Sequence, residues 1–191
     1  MHDIIVIDDV VDKPTQDLIY NSIFSKDTSW VFGRTIFYDN HAEVTSTQKN
    51  NLMSFTKALY DDETNIADRN LSLYTKPLDG LCNKLFSSRI QLQLPLLTEK
   101  DKLYGVPHID GQRKINYKVA VYYVNDVDGD TVLFKQTRDN CTPQDIIDGK
   151  LEIAQTVSPK KGRLVIFDGS IYHAVGKPKT DLRCIINYNF I

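Results

Sequence analysis

Apolar and polar residues alternate through much of the second half of this chain of 191 residues. Residues 89–97 alternate with a period of two, and short apolar runs recur from there to the C-terminus. Because successive side chains of a strand point to opposite faces, this pattern predicts short strands separated by turns. The expected strands lie near residues 90–96, 102–110, 115–125, 131–136, 151–157, 163–168, 171–175 and 182–190. About eight strands of this kind predict a double-sheet jelly roll, or double-stranded β-helix.

The first residues of the chain predict a strand followed by a helix. Residues 4–8 form a β-branched run that is typical of a strand. Asp12 and Pro14 then resemble a helix start, and residues 16–24 have apolar positions at helical spacing.

Further helices are expected before the alternating half begins. Residues 46–62 have the apolar spacing of an amphipathic helix, and a second helix is expected over about 77–87. Residues 30–38 predict a strand pair or an ordered aromatic loop, in which Trp30 is expected to anchor the core rather than contact a substrate. The predicted fold class is therefore α+β but mainly β, with N-terminal supporting helices.

Three connecting segments in the second half of the chain contain residue types that favour turns. Residues 125–130 predict a hairpin turn, and residues 158–162 a further turn. Between them, residues 139–149 predict a loop with one helical turn that Thr142 caps ahead of Pro143.

The length fits one domain, so we expect residues 1–191 to fold together. In that domain, residues 1–88 would provide helical support and part of the substrate region, and residues 89–191 the jelly-roll core. No apolar run approaches the roughly 18 to 20 residues of a membrane span, so no membrane partner is expected.

Charge and cysteine content narrow the class of protein. The net charge is −2, from 23 basic and 25 acidic residues, which disfavours a protein built mainly to bind nucleic acid. Cys82, Cys141 and Cys184 are widely spaced and form no paired motif, which indicates a reducing compartment. We therefore expect a cytoplasmic protein.

Residues 107–125 contain two candidate metal ligands. His108 and Asp110 lie two residues apart, so on a strand their side chains share one face and can bind one ion. A third ligand is expected from His173, on a later strand. Two histidines and one carboxylate form a facial triad that leaves coordination positions open, which indicates a non-haem Fe(II) oxygenase.

Arg183 opens the last apolar strand, ten residues after His173. It is either solvated at the strand end or holds an anion inside the fold. The odd positions of residues 115–125 form an apolar and aromatic face, so Tyr123 should point inward and Tyr122 outward. An inward phenol and an inward guanidinium could together hold the far end of a dicarboxylate.

These motifs resemble those of the Fe(II)- and 2-oxoglutarate-dependent dioxygenases, in particular the prolyl 4-hydroxylase-like branch. The likeness covers about residues 89–191 and rests on the HxD…H pattern, on the arginine that follows the distal histidine, and on residues 122–125. Those four residues are similar to the Tyr-Tyr-Leu-Asn run of hypoxia-sensing prolyl hydroxylases. Residues 129–134 and 158–167 resemble two further family segments. The chain departs at Asp130, where the family has a second glycine, and at Ile185, where some branches have serine or threonine.

The resemblance implies a site and a reaction. His108, Asp110 and His173 would be the catalytic iron ligands, and Arg183 and Tyr123 would bind the C5 carboxylate of 2-oxoglutarate. The cofactors implied are Fe(II), 2-oxoglutarate and O2, with ascorbate as a supporting reductant. The products are a hydroxylated substrate, succinate and CO2.

The resemblance does not decide between a peptide or protein substrate and a small-molecule substrate. A peptidyl proline is the first candidate, ahead of a free amino acid, another small metabolite or a nucleobase. Five basic loop residues could form a groove for nucleic acid, but their interpretation as ordinary solvated charges is favoured. These residues are Arg113, Lys114, Lys160, Lys161 and Arg163. Two rival functions are a catalytically silent jelly-roll binding protein and a cupin-like or hydrolytic zinc enzyme.

Overall fold

Two antiparallel sheets make up most of the computed structural model, which describes residues 3–33, 54–95, 104–111 and 116–191. The strands are β1 (Ile5–Ile7), β2 (Val31–Gly33), β3 (Ser54–Asp61), β4 (Ile66–Ala67), β5 (Leu85–Gln93), β6 (Lys118–Tyr123), β7 (Thr131–Thr137), β8 (Ile153–Val157), β9 (Leu164–Asp168), β10 (Ile171–Val175) and β11 (Arg183–Phe190). The helices are α1 (Lys13–Ile23), α2 (Leu71–Tyr74) and α3 (Pro143–Ile147), with a 3-10 turn at Lys76–Leu78.

The larger sheet has the order β1-β9-β6-β11-β5-β3-β2, with β4 paired to β3, and the smaller sheet has the order β10-β7-β8. An inner apolar core lies between them, since Leu133, Val157 and Ile171 of the smaller sheet pack with Tyr123 and Val165 of the larger one. This arrangement confirms the predicted mainly-β, jelly-roll fold class with an N-terminal supporting helix.

Helix α1 covers the outer face of the larger sheet, as its sequence predicts. Asp12 caps the helix by accepting a hydrogen bond from the backbone of Thr15 at 3.0 Å. Ile19 and Ile23, four residues apart, are fully buried against this face of the sheet. Tyr122 also lies in this outer cluster, so it faces away from the inner core, as predicted, but is buried.

The helix predicted over residues 46–62 is wrong where the structure describes it. Residues 54–61 form strand β3, which pairs with β5 on one side and with β2 and β4 on the other. The ladder hydrogen bonds from these neighbours outweigh the helical spacing of the apolar residues. Residues 46–53 lie outside the described part of the chain.

The helix predicted over about 77–87 is also wrong. Only the short 3-10 turn at Lys76–Leu78 is helical there, and β5 begins at Leu85. Pro77 is tolerated in the first helical turn, but Gly80 adopts a φ of +75°, which ends the helix.

Each predicted strand has a counterpart except the one at residues 102–110, where the described residues form two isolated bridges, Tyr104 to Gly176 and His108 to His173. The turn at residues 125–130 is not a hairpin, since it joins β6 of the larger sheet to β7 of the smaller one.

Several local predictions are confirmed. Residues 158–162 turn between β8 and β9, and Thr142 caps α3 through a reciprocal hydrogen-bond pair with Asp145. Trp30 is partly buried against the outer core. The part of residues 30–38 that follows position 33 lies outside the described residues.

Both parts of the predicted domain contribute strands to the larger sheet, and the organisation of the chain as one domain stays a prediction. The three cysteines are free thiols. Within the described ranges, no helix is long and apolar enough to cross a membrane.

Candidate metal centre

His108, Asp110 and His173 come together at one end of the inner core. One ligand atom from each lies within 4.8 Å of the others, and all three residues are buried. The Nε2 atoms of the two histidines lie 3.7 Å from different oxygens of the Asp110 carboxylate. The structure therefore brings together the three residues whose role as ligands was predicted from sequence.

A backbone bridge brings the two histidines together. His108 and His173 exchange two backbone hydrogen bonds of 2.8 and 2.9 Å, although residues 104–111 form no regular strand. Each Nδ1 lies 3.2 Å from the carbonyl two residues earlier, that of Val106 or of Ile171. In this geometry Nδ1–H donates to the backbone, which leaves both Nε2 atoms available to a metal.

The electrostatics suit metal ligation. Burial lowers the pKa of His108 well below its usual value, and the charge of His173 lowers it further. Burial alone would raise the pKa of Asp110, but its interactions with His173, Arg89 and His108 lower it overall. A neutral imidazole and an ionised carboxylate are the protonation states in which these groups bind metal.

The donor set fits Fe(II). Two imidazole nitrogens and one carboxylate oxygen are borderline-hard donors that suit Fe, Mn or Zn. Three protein ligands also leave positions free on a six-coordinate ion, which a catalytic centre needs for its substrates.

Three residues that sequence reasoning missed contact Asp110. Asn187 Nδ2 donates to one carboxylate oxygen at 2.7 Å, and Arg89 Nη2 donates to the other at 3.1 Å. The Tyr117 hydroxyl donates to the backbone carbonyl of Asp110, and burial raises the pKa of Tyr117 to about 12. One signal in the sequence could have found Asn187, because it lies four residues after Arg183 on the same face of a buried strand.

Arg183 is buried, with an exposed fraction of 1%. Its guanidinium donates to three neutral acceptors: the Gly129 carbonyl at 2.7 Å, Gln93 Oε1 at 2.8 Å and Thr131 Oγ1 at 2.9 Å. Burial lowers the pKa of Arg183, but an arginine starts so high that it stays charged at neutral pH. The alternative in which Arg183 is solvated at the strand end is therefore wrong.

Tyr123 lies beside this guanidinium, inside the core as predicted. The Arg183 Cζ atom is 5.6 Å from the centre of the Tyr123 ring, and the Tyr123 hydroxyl donates to Thr131 Oγ1 at 2.6 Å. Burial raises the pKa of Tyr123, so the phenol is neutral and available as a donor. The binding of cosubstrate by either residue stays a prediction.

The basic loop residues are paired with acids rather than forming an open groove. Lys160 and Arg163 both contact Asp8, at 2.9 and 2.6 Å, and Lys161 lies 2.5 Å from Asp17. The interpretation of these residues as ordinary surface charges is therefore favoured. The other two basic residues, at positions 113 and 114, lie outside the described residues.

No family model and no curated protein matches this chain. Solved structures do match it over nearly its whole length. A prolyl hydroxylase from Trichoplax adhaerens, in complex with a peptide fragment of the hypoxia inducible factor oxygen degradation domain, has 13% identity and a TM-score of 0.62, covering 98% of this chain and 83% of that one. A prolyl-4-hydroxylase from Pseudomonas putida has 15% identity and a TM-score of 0.58, covering 100% and 92%.

A third match is the epimerase SnoN from nogalamycin biosynthesis, in complex with Fe3+, alpha ketoglutarate and nogalamycin RO. It has 13% identity and a TM-score of 0.60, covering 98% of this chain and 78% of that one. This chain has the fold of the 2-oxoglutarate and Fe(II) oxygenases. The resemblance noted in the sequence is thus confirmed at the level of the fold, and the described residues include a His-Asp-His donor set that could hold a metal ion.

Proposed function

We propose that the protein is an Fe(II)- and 2-oxoglutarate-dependent dioxygenase that hydroxylates its substrate. The observation that carries this proposal is the buried charge of Arg183, which enters no ion pair among the described residues. A buried charge without a counter-charge is costly, and a bound carboxylate offsets that cost. Arg183 also shares strand β11 with Asn187, which contacts the Asp110 carboxylate.

The roles follow from the positions of the side chains. His108, Asp110 and His173 hold Fe(II), which supplies the redox chemistry when it is bound. Arg183 and Tyr123 bind the C5 carboxylate of 2-oxoglutarate, because both donate to the same hydroxyl, that of Thr131, and so converge on one place. The balanced reaction converts substrate, 2-oxoglutarate and O2 into hydroxylated substrate, succinate and CO2.

The buried walls of this site orient the cosubstrate and exclude water. Gly129 and Gln93 hold the Arg183 guanidinium from two sides through their oxygens, so its direction is set before an anion binds. A fixed guanidinium that is buried away from water attracts a carboxylate far more strongly than a solvated one.

For the substrate, we propose a peptidyl proline first. The two prolyl hydroxylases among the similar structures and residues 122–125 support this choice. A small molecule is the alternative, supported by the complex of SnoN with nogalamycin RO. A cytoplasmic location is supported by the three free thiols.

The rival functions account for less of the site. A zinc hydrolase or a cupin-like enzyme with the same three ligands leaves the buried guanidinium without a role. A catalytically silent binding protein leaves the donor set of His108, Asp110 and His173 without a role.

Replacing Asp110 tests the reaction directly. With Fe(II), 2-oxoglutarate, O2 and ascorbate, which supplies the two electrons that a substrate would otherwise provide, the unaltered protein is expected to release succinate. Asp110→Ala should reduce that release to background, because the metal loses its anionic ligand. Asp79→Ala, which removes an exposed carboxylate paired with Lys76, is the control and should leave the release unchanged. Retained turnover in Asp110→Ala would rule out the assignment.

A screen of succinate release across proline peptides, free amino acids and nucleosides identifies the substrate class. Stimulation by proline peptides alone supports the first choice. Stimulation by free amino acids or nucleosides alone would replace it with the small-molecule alternative.

A further inference from the structure

The Asp110 carboxylate is held from two sides by residues outside the triad. Asn187 Nδ2 donates to Oδ2 at 2.7 Å from strand β11, and Arg89 Nη2 donates to Oδ1 at 3.1 Å from strand β5. Asn187 and Arg89 are direct partners in the antiparallel register of these two strands. Each carboxylate oxygen therefore has its own donor, and the two donors lie at a fixed spacing.

Asp110 needs such support because its own backbone lies outside the regular strands. Its backbone carbonyl accepts a hydrogen bond from the Tyr117 hydroxyl, and the nearest β-bridge is at His108, two residues earlier. A carboxylate on a short side chain can rotate and present either oxygen, or both, to a metal. Donors on both oxygens remove that freedom, since rotation would break two charge-assisted hydrogen bonds.

We propose that Asn187 and Arg89 are positioning residues of the metal centre, which hold the Asp110 carboxylate in the orientation that ligates the ion together with the two histidines. This inference rests on the proposed function of the site. Residues that orient a ligand in this way typically change metal affinity by about 10- to 100-fold when they are removed.

A purely structural role for Asn187 makes a different prediction. Its amide would then serve only to satisfy a buried polar group, and its loss would lower stability without a specific effect on the metal. Asn189 supplies the matched control. It lies two residues further along the same face of β11, and its Nδ2 donates to Ser87 Oγ at 3.0 Å rather than to the triad.

The experiment measures Mn(II) affinity by electron paramagnetic resonance and the absorption spectrum of the Co(II) form, both under anaerobic conditions. Asn187→Ala and Arg89→Gln are each expected to weaken Mn(II) binding by about 10- to 100-fold. Both should also alter the Co(II) spectrum, because the ligand changes its orientation. Asn189→Ala should match the unaltered protein in both measurements.

Unchanged Mn(II) affinity and an unchanged Co(II) spectrum in both variants would overturn the inference and leave the proposed function standing. Failure of the unaltered protein to bind Mn(II) at all would instead overturn the proposed function, and the inference with it. Should Asn187→Ala fail to fold, Arg89→Gln decides, because the Arg89 side chain is 33% exposed and its loss removes no part of the apolar core.

Discussion

Arg183 is the residue whose burial needs the strongest explanation. Its charged side chain is among the largest fully buried side chains of the described residues, and its hydrogen-bond partners are all neutral. Neutral oxygens satisfy the donors of a guanidinium but leave its charge uncompensated. A bound anion would compensate this charge, which agrees with the proposed role of Arg183 in binding 2-oxoglutarate.

Replacing Arg183 should separate cosubstrate binding from metal binding. Arg183→Ala is expected to raise the concentration of 2-oxoglutarate needed for half-maximal turnover by about 10- to 100-fold, the range expected for losing hydrogen bonds to a charged group. Mn(II) affinity should change far less, because the triad keeps its own contacts. Succinate kinetics and Mn(II) titration provide the two measurements, and unchanged cosubstrate kinetics would remove Arg183 from the site.

Among single residues, the sequence predicts those whose spacing along the chain indicates a common site. His108 and Asp110 are two apart, and Arg183 follows His173 at a short fixed interval. Arg89 could not be found in this way, and the spacing of Asn187 from Arg183 places Asn187 on the same face without identifying its partner. Their contacts with the Asp110 carboxylate depend on the pairing of two strands that are distant in sequence, and that register becomes visible only in the fold.

Among the secondary-structure elements, strand β1 is attached to the edge of the larger sheet by charges as well as by its ladder. Asp8 follows this strand directly and accepts hydrogen bonds from Arg163 at 2.6 Å and from Lys160 at 2.9 Å. The hydrogen bond from Arg163, and then that from Lys160, lower the pKa of Asp8 below its usual range. The ion pairs therefore stabilise the folded state only while this carboxylate is ionised.

Asp8→Asn should lower the free energy of unfolding at pH 7 by about 1 kcal/mol or less, since these groups are partly exposed. Because the pKa of Asp8 is lower in the folded than in the unfolded state, its contribution is present above the unfolded value of about 3.9 and is lost as the pH falls toward the folded value. Urea unfolding of both proteins at pH 7 and pH 3 measures the difference. Asp3→Asn, at an exposed carboxylate of the same segment, is the control, and a difference that grows toward pH 3 would contradict the linkage.

Elements defined by local signals were predicted more reliably than those defined by distant partners. Helix α1 has its cap and its apolar face within a dozen residues, so its start was found correctly. The sequence predicts a helix in place of strand β3, because the apolar spacing there is ambiguous. The partners of this strand, β2, β4 and β5, could not be identified from the sequence.

At the scale of the whole molecule, the smaller sheet has a close backbone contact near Arg183, where the pairing of β10 with β7 continues past the last strand residues. Gly176 follows β10, and its backbone N–H donates to the carbonyl of Asp130 at 2.7 Å. A Cβ at Gly176 would overlap the backbone of Asp130, which neither segment can relieve by turning a side chain. Gly129, next to it, supplies the carbonyl that holds Arg183.

Gly176→Ala should therefore affect both stability and the cosubstrate site. We expect the free energy of unfolding to fall by about 1 to 3 kcal/mol, as for other overpacked positions. The thermal shift that 2-oxoglutarate causes in the presence of Mn(II) should also shrink, because the support of Arg183 moves. Urea unfolding and thermal melting check the two effects.

Gly149→Ala is the matched control for that substitution. A Cβ there meets nothing within 4 Å, and its only cost is the left-handed backbone at a φ of +67°. It should lose stability but keep the full thermal shift with 2-oxoglutarate. An equal loss of that shift in both variants would show that the contact between Gly176 and Asp130 does not support the site.

Strand β11 carries both Arg183 and Asn187, four residues apart and so about 13 Å along the strand. It pairs with β5 along its length and with β6 from Ile185 onward, so this spacing is held on both sides by ladder hydrogen bonds. In the proposed function, Arg183 binds the distal carboxylate of the cosubstrate and Asn187 supports the metal centre, so the strand would set the distance that a diacid has to span. A diacid one carbon shorter or longer could reach the guanidinium or the metal, but not both without strain. We therefore expect discrimination between cosubstrates of different length to depend on one paired strand rather than on any single side chain.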